Sequence, residues 1–191
     1  MTLNTITRWI VPVSLALVAG TASAHTGGHA VAGFASGLAH PFLGLDHLLA
    51  MIAVGLWAAQ QGGRALWAMP VAFLAAMGLG GLLAWTGGAL PQVETGLALS
   101  VLVLGLLIAA RQKWAVPVGM AVAASFALFH GHAHGLEMPQ AASPFQYVLG
   151  LVLATAALHA AGIGGSLLGR RVVQWSGVAI AATGLVLIIA A

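Results

Sequence analysis

The chain has 191 residues, 61% hydrophobic and only 5% charged, with a mean hydropathy of +1.04. Ordinary soluble domains carry roughly 25% charged residues, so this composition excludes a soluble fold and points to an integral membrane protein whose apolar surface faces lipid. The formal charge of +3 comes from basic residues scattered singly or in pairs, which make no nucleic-acid stripe, and the absence of cysteine removes both disulfides and thiolate metal ligands.

A membrane β-barrel would show segments of about ten residues alternating apolar and polar. The apolar runs here are instead continuous, about 16 to 22 residues long, which suits helices crossing a hydrocarbon core of roughly 30 Å. They are rich in Ala, Leu and Gly, and small residues let membrane helices approach closely. The expected fold is an all-α integral membrane bundle of six helices after a cleavable signal peptide.

Residues 1–24 read as that signal: Arg8, an apolar run from Trp9 to about Ala19, then Ala22-Ser23-Ala24 as a small-residue cleavage site. The rival reading is an uncleaved first helix, for which the apolar run is short. A single membrane domain, 25–191, follows. Its six spans are expected at about 34–59, 65–86, 94–110, 114–134, 145–166 and 172–191.

Arg64 falls between spans one and two, Arg111 and Lys113 between three and four, and Arg170 and Arg171 between five and six. The even-numbered loops carry no Lys or Arg, and Glu94 and Glu137 lie at or near their ends. The positive-inside rule therefore puts the odd loops in the cytoplasm and both mature termini on the periplasmic side of a bacterial inner membrane. This agrees with the signal peptide, which was inferred independently.

On that topology His25 and His29 lie in the outer N-terminal segment, and His40, Asp46 and His47 in the outer part of span one. His130, His132 and His134, followed by Glu137, lie at the outer end of span four. Imidazole is a good donor for divalent nickel, cobalt, zinc and copper, and a carboxylate adds an anionic oxygen. His130, His134 and Glu137 share one helical face if the helix continues that far, while His132 points elsewhere, towards an entry site or a second ion. Ionisable groups inside a membrane are costly, at least ~2.5 to 3.5 kcal/mol on insertion scales, so a functional site is the default reading of the cluster.

The first motif poses a geometric problem. Pro41 suits a first helical position, making His40 a cap-region residue and leaving Asp46 and His47 near the second turn. On an unbroken helix His40 and His47 would stand about 10 Å apart, too far for one ion. Either Gly44 marks an irregular turn or the two serve successive positions, and Asp46 either binds metal or orients a neighbouring imidazole. His25 offers an α-amino group as well as its ring if cleavage follows Ala24, with His29 nearby. His159, deeper in span five, is either a packing histidine or a stepping stone inward.

Gly131 with Gly135 and Gly165 with Gly169 fit close helix packing, Pro70 and Pro117 are expected to kink their spans, and Trp57, Trp67, Trp85, Trp114 and Trp175 suit an interfacial belt.

The segment from His40-Pro41-Phe42-Leu43-Gly44-Leu45-Asp46-His47 to Gly55, together with Phe129-His130-Gly131-His132-Ala133-His134-Gly135-Leu136-Glu137, resembles the HupE/UreJ family of nickel and cobalt permeases, and the likeness covers nearly the whole chain. The resemblance implies secondary uptake of Ni²⁺ or Co²⁺ in support of nickel enzymes such as hydrogenase or urease. It carries the motif roles onto His40, Asp46, His47, His130, His132, His134 and Glu137. The preference for nickel rests on the family, since the residues alone equally admit Zn²⁺ or Cu²⁺.

Beside the permease stand two other classes, a haem-binding membrane electron carrier and an intramembrane metalloenzyme. Histidines massed at one surface beside carboxylates suit haem less well, and the chain contains no HExxH. It has no nucleotide-binding P-loop either, so direct ATP coupling would need another subunit. No prosthetic group is expected. The expected partners are the lipid bilayer and a divalent metal ion, with a homo-oligomer or an outer metal-delivery partner left open.

Overall fold

The computed structural model describes residues 33–139 and 143–190. The expected signal segment, His25 and His29 lie outside those residues. All regular structure among the described residues is helical. Helix α1 spans Phe34–Ala39 and runs into a 3-10 turn at His40–Phe42; α2 spans Leu45–Gln61, α3 Ala65–Trp85, α4 Val93–Ala109 and α5 Val116–Leu136. Helix α6 spans Pro144–Gly165, ending in a 3-10 turn at Ser166–Leu168, and α7 spans Arg170–Ala190.

Among the described residues four helices are long and apolar enough to cross a membrane: α3, α5, α6 with its terminal turn, and α7. The pair Phe34–Phe42 and Leu45–Gln61 would make a fifth span, bent by 83° at its break, and α4 is apolar but shorter at 17 residues.

Glycine sets the spacing of the bundle. A methyl group on Gly80 would fall on the Leu128 carbonyl and one on Gly131 on the Met77 carbonyl, so α3 and α5 touch backbone to backbone. Gly55 and Gly162 do the same between α2 and α6, and Gly37 and Gly150 between α1 and α6. In lipid, where apolar burial gives little drive, such contact is what packing and dispersion have to work with.

Several expectations change here. Gly135 does pack closely, against Ala84 and Gly81, but Gly165 and Gly169 make no such contact. Gly169 instead takes a φ of 100° at the α6–α7 turn, and Gly162 is the residue that packs. Pro117 falls in the first turn of α5, where no helical hydrogen bond is lost, so only Pro70 sits inside a helix. Trp57 is fully buried, its indole N–H donating to the Gln112 carbonyl, so it anchors the core, whereas Trp67, Trp85 and Trp175 are exposed as a belt requires.

The charges separate along the bundle. Arg111, Lys113 and Arg170 line one cavity of about 280 Å³ with Gln60 and Ser166, at the end of α2 remote from its histidine. That end is tied together by side-chain amides: Gln60 donates to the Ile108 carbonyl and Gln61 to that of Gln112.

Candidate metal centre

The 83° bend between Phe34–Phe42 and Leu45–Gln61 shapes the histidine cluster. Gly44 has extended backbone (φ −107°, ψ 124°) and caps α2, so Asp46 and His47 stand in that helix's first turn. The expectation that a helix starting at Pro41 would carry them in its second turn is therefore corrected: Pro41 belongs to the separate 3-10 turn. Folding back at Gly44 brings the His40 and His47 rings to 6.4 Å between centroids, which a straight helix would not allow.

Helix α5 supplies the second half. Its last two turns carry His130 and His134 on one face, and Glu137 follows as the C-terminal cap residue. The rings form a continuous contact series: His40 to His134 at 4.9 Å, His134 to His47 at 4.3 Å, and His47 to His130 at 4.9 Å. His40, His134 and Glu137 each offer a ligand atom within 4.8 Å of the others. His47, His130 and His134 are buried, and Glu137 opens to the outside.

Hydrogen bonds fix which nitrogen of most rings is free to bind. His47 donates from Nδ1 to Asp46 Oδ1 at 2.8 Å, leaving the Nε2 lone pair. Asp46 Oδ1 also accepts the His47 backbone N–H at 2.8 Å, so one carboxylate satisfies a first-turn donor of α2 and orients the His47 imidazole. Ser100 spends its hydroxyl proton on the Leu97 carbonyl and so accepts from His130 Nε2 at 2.9 Å, leaving the lone pair on His130 Nδ1. His40 donates from Nε2 to Glu137 Oε2 at 2.9 Å. That bond holds the Glu137 carboxyl below the usual carboxylate range despite its partial burial.

His47 Nε2, His130 Nδ1 and both nitrogens of His134 are buried and find no hydrogen-bond partner among the described residues. Leaving a buried polar atom unmatched costs about 1–3 kcal/mol, so four within one cluster of touching rings call for a ligand. The donor set of lone-pair nitrogens and one oxygen suits a borderline divalent transition metal.

His132 and His159 stand apart from this cluster. His132 donates to the Gly88 carbonyl at 3.0 Å, tying α5 to the α3–α4 loop. His159 donates from Nδ1 to the Met51 carbonyl at 2.7 Å, deep in the core. Two residues go beyond the sequence reading. Ser100 orients His130 from α4. Glu94 lines a cavity of about 250 Å³ together with His40, Gly44, Asp46, His47 and Glu137, so all three carboxylates of the chain face one space. A lone Glu at a helix start gave no signal of this, and only the packing of α4 against the break reveals it.

The sequence profile described as HupE / UreJ protein matches residues 13–187. Protein HupE of Rhizobium leguminosarum bv. viciae is 47% identical over 173 residues, covering 88% of this chain and 90% of that protein. No solved structure matches.

Proposed function

This chain belongs to the HupE/UreJ family, and from that premise we propose that it is a secondary permease importing Ni²⁺ or Co²⁺ across the bacterial inner membrane. The observation that carries the reading is the meeting of two motifs, distant in sequence, as a cluster of touching imidazoles beneath a cavity lined by every carboxylate of the chain.

In this reading α1 and α2 together form the first of six spans, α4 is the third, and the histidine end faces the periplasm. The segregation of Arg111, Lys113 and Arg170 to the opposite end supports that orientation. A hydrated cation is drawn into the acidic cavity by Asp46, Glu94 and Glu137. His40, His47, His130 and His134 then replace its water, with Glu137 as the anionic ligand. His25 and His29 would offer further donors on the periplasmic side, His132 would hold the loop beside the cavity, and His159 would receive the ion on its way inward. A membrane potential favours cation entry by ~2.3 kcal/mol per charge per 100 mV, about twice that for a divalent ion, so no coupling ion is required.

The test is metal uptake into liposomes containing only this protein, comparing nickel, cobalt, zinc and copper with and without a membrane potential. Potential-driven accumulation of nickel or cobalt is expected. A purified protein that binds metal yet moves none would defeat the permease reading.

A further inference from the structure

The series of imidazoles that starts at His40 does not run unbroken into the core. Past His130 the next ring is Phe73 of α3, with centroids 5.8 Å apart, and past Phe73 comes His159 of α6, at 5.0 Å and nearly perpendicular. Phe73 has no exposed surface, and the two histidines it separates are likewise buried.

Both flanking rings are prepared in the same way. His130 commits its N–H to Ser100 and His159 commits its own to the Met51 carbonyl. The remaining nitrogens, His130 Nδ1 and His159 Nε2, are buried without a partner among the described residues. Two lone-pair donors thus lie on either side of a phenyl ring that has none. An ion moving between them would lose ligands at Phe73, which is how an apolar constriction gates conduction. One helical turn further along α3, Met77 borders an apolar cavity of about 370 Å³ between α3, α5 and α6, which Phe73 itself does not line.

We propose that Phe73 is the gate between the outer histidine cluster and an inner relay site at His159 Nε2. The inference rests on the permease reading, which it extends by locating the barrier inside the bundle. Entry to His159 requires displacement of the ring, and the size of the residue at this position sets how readily metal passes.

Two measurements test it. The first follows ethoxycarbonylation of His159 by diethyl pyrocarbonate in the purified full chain, resolved by mass spectrometry. Wild-type His159 should react slowly; Phe73→Ala and Phe73→Leu should react several-fold faster, with His40 unchanged. Leu104→Ala, a truncation of an equally buried side chain on α4, should leave His159 slow, which separates gating from general loosening. The second follows nickel flux in liposomes, where Phe73→Leu should raise the initial rate and Phe73→Trp lower it, at unchanged nickel affinity of the outer cluster. His159 reactivity that stays at the wild-type level in both Phe73 truncations, or rises equally in Leu104→Ala, overturns the gate. Absence of nickel flux in the wild type overturns the permease reading alone, and the labelling result still decides the gate.

Discussion

His40 Nε2 and Glu137 Oε2 meet at 2.9 Å although 97 residues separate them. This bond joins the 3-10 turn before the Gly44 break to the residue that caps α5, and so holds the two halves of the histidine cluster in register. Glu137→Gln keeps an oxygen to accept from His40 while removing the negative charge. Nickel affinity measured by calorimetry in detergent should fall at least ~10-fold, the lower end of what loss of a metal-orienting partner costs. Because Glu137 is half exposed, thermal stability should barely change. Wild-type affinity in Glu137→Gln would remove this carboxylate from the ligand set.

His47 and His130 present nitrogens from different helices that find no partner among the described residues, and each ring is oriented by a separate acceptor. His47→Ala or His130→Ala should abolish nickel accumulation while the protein still inserts and folds, since each removes a buried group that has only one hydrogen-bond partner. Radioactive nickel uptake at matched expression measures this. Normal uptake in both variants would dismiss the site.

Asp46 performs two tasks through one oxygen, and Asn separates them. Asp46→Asn retains a side-chain oxygen for the His47 backbone N–H, so the start of α2 should persist. It loses the charge that favours the Nδ1–H tautomer of His47. The expected outcome is a ~10- to 100-fold loss of metal affinity without loss of helix content, read by metal titration beside circular dichroism. A variant that binds normally would reduce Asp46 to an acceptor for the first turn of α2.

Much of this arrangement was legible in the sequence because its signals are periodic or compositional. Helix positions follow from continuous apolar runs, and the grouping of His40, His47, His130 and His134 was read by orienting the runs with Arg64, Arg111, Lys113, Arg170 and Arg171. The distance between His40 and His47 left two readings, an irregular turn at Gly44 or two successive positions, and the backbone does break at Gly44. Its form, a 3-10 turn followed by extended backbone, was not legible, since glycine tolerates many conformations and tertiary contacts choose among them. Ser100, Glu94 and Phe73 carry no local pattern at all. Their roles come from which helices touch, and that is set by glycine contacts such as Gly55 with the His159 carbonyl.

Glu94 lines the outer cavity but has no hydrogen bond to any histidine among the described residues, so its effect should be field rather than ligation. Glu94→Gln should slow nickel uptake at low ionic strength and match wild type near 1 M salt, where the Debye length shrinks to about 3 Å. Initial rates across a salt series test this. A defect of constant size at all salt concentrations would instead mean that Glu94 touches the ion.

The glycines of α3 and α5 make the packing argument testable within one interface. A methyl group on Gly131 meets the Met77 carbonyl backbone, which no rotamer change relieves, whereas one on Gly78 meets nothing within 4 Å. Gly131→Ala should therefore push α5 from α3, destabilising the bundle by about 1–3 kcal/mol as overpacking does. It should also weaken nickel binding, because His130 and His134 flank the displaced turn. Gly78→Ala, within a helix and facing open space, should be neutral or slightly stabilising, since Gly is the poorer helix former by roughly 1 kcal/mol. Melting temperatures in detergent, compared with nickel affinities, distinguish the two. Equal stability of both variants would mean that α3 and α5 are not held by backbone contact, and the position of the α5 histidines would need another cause.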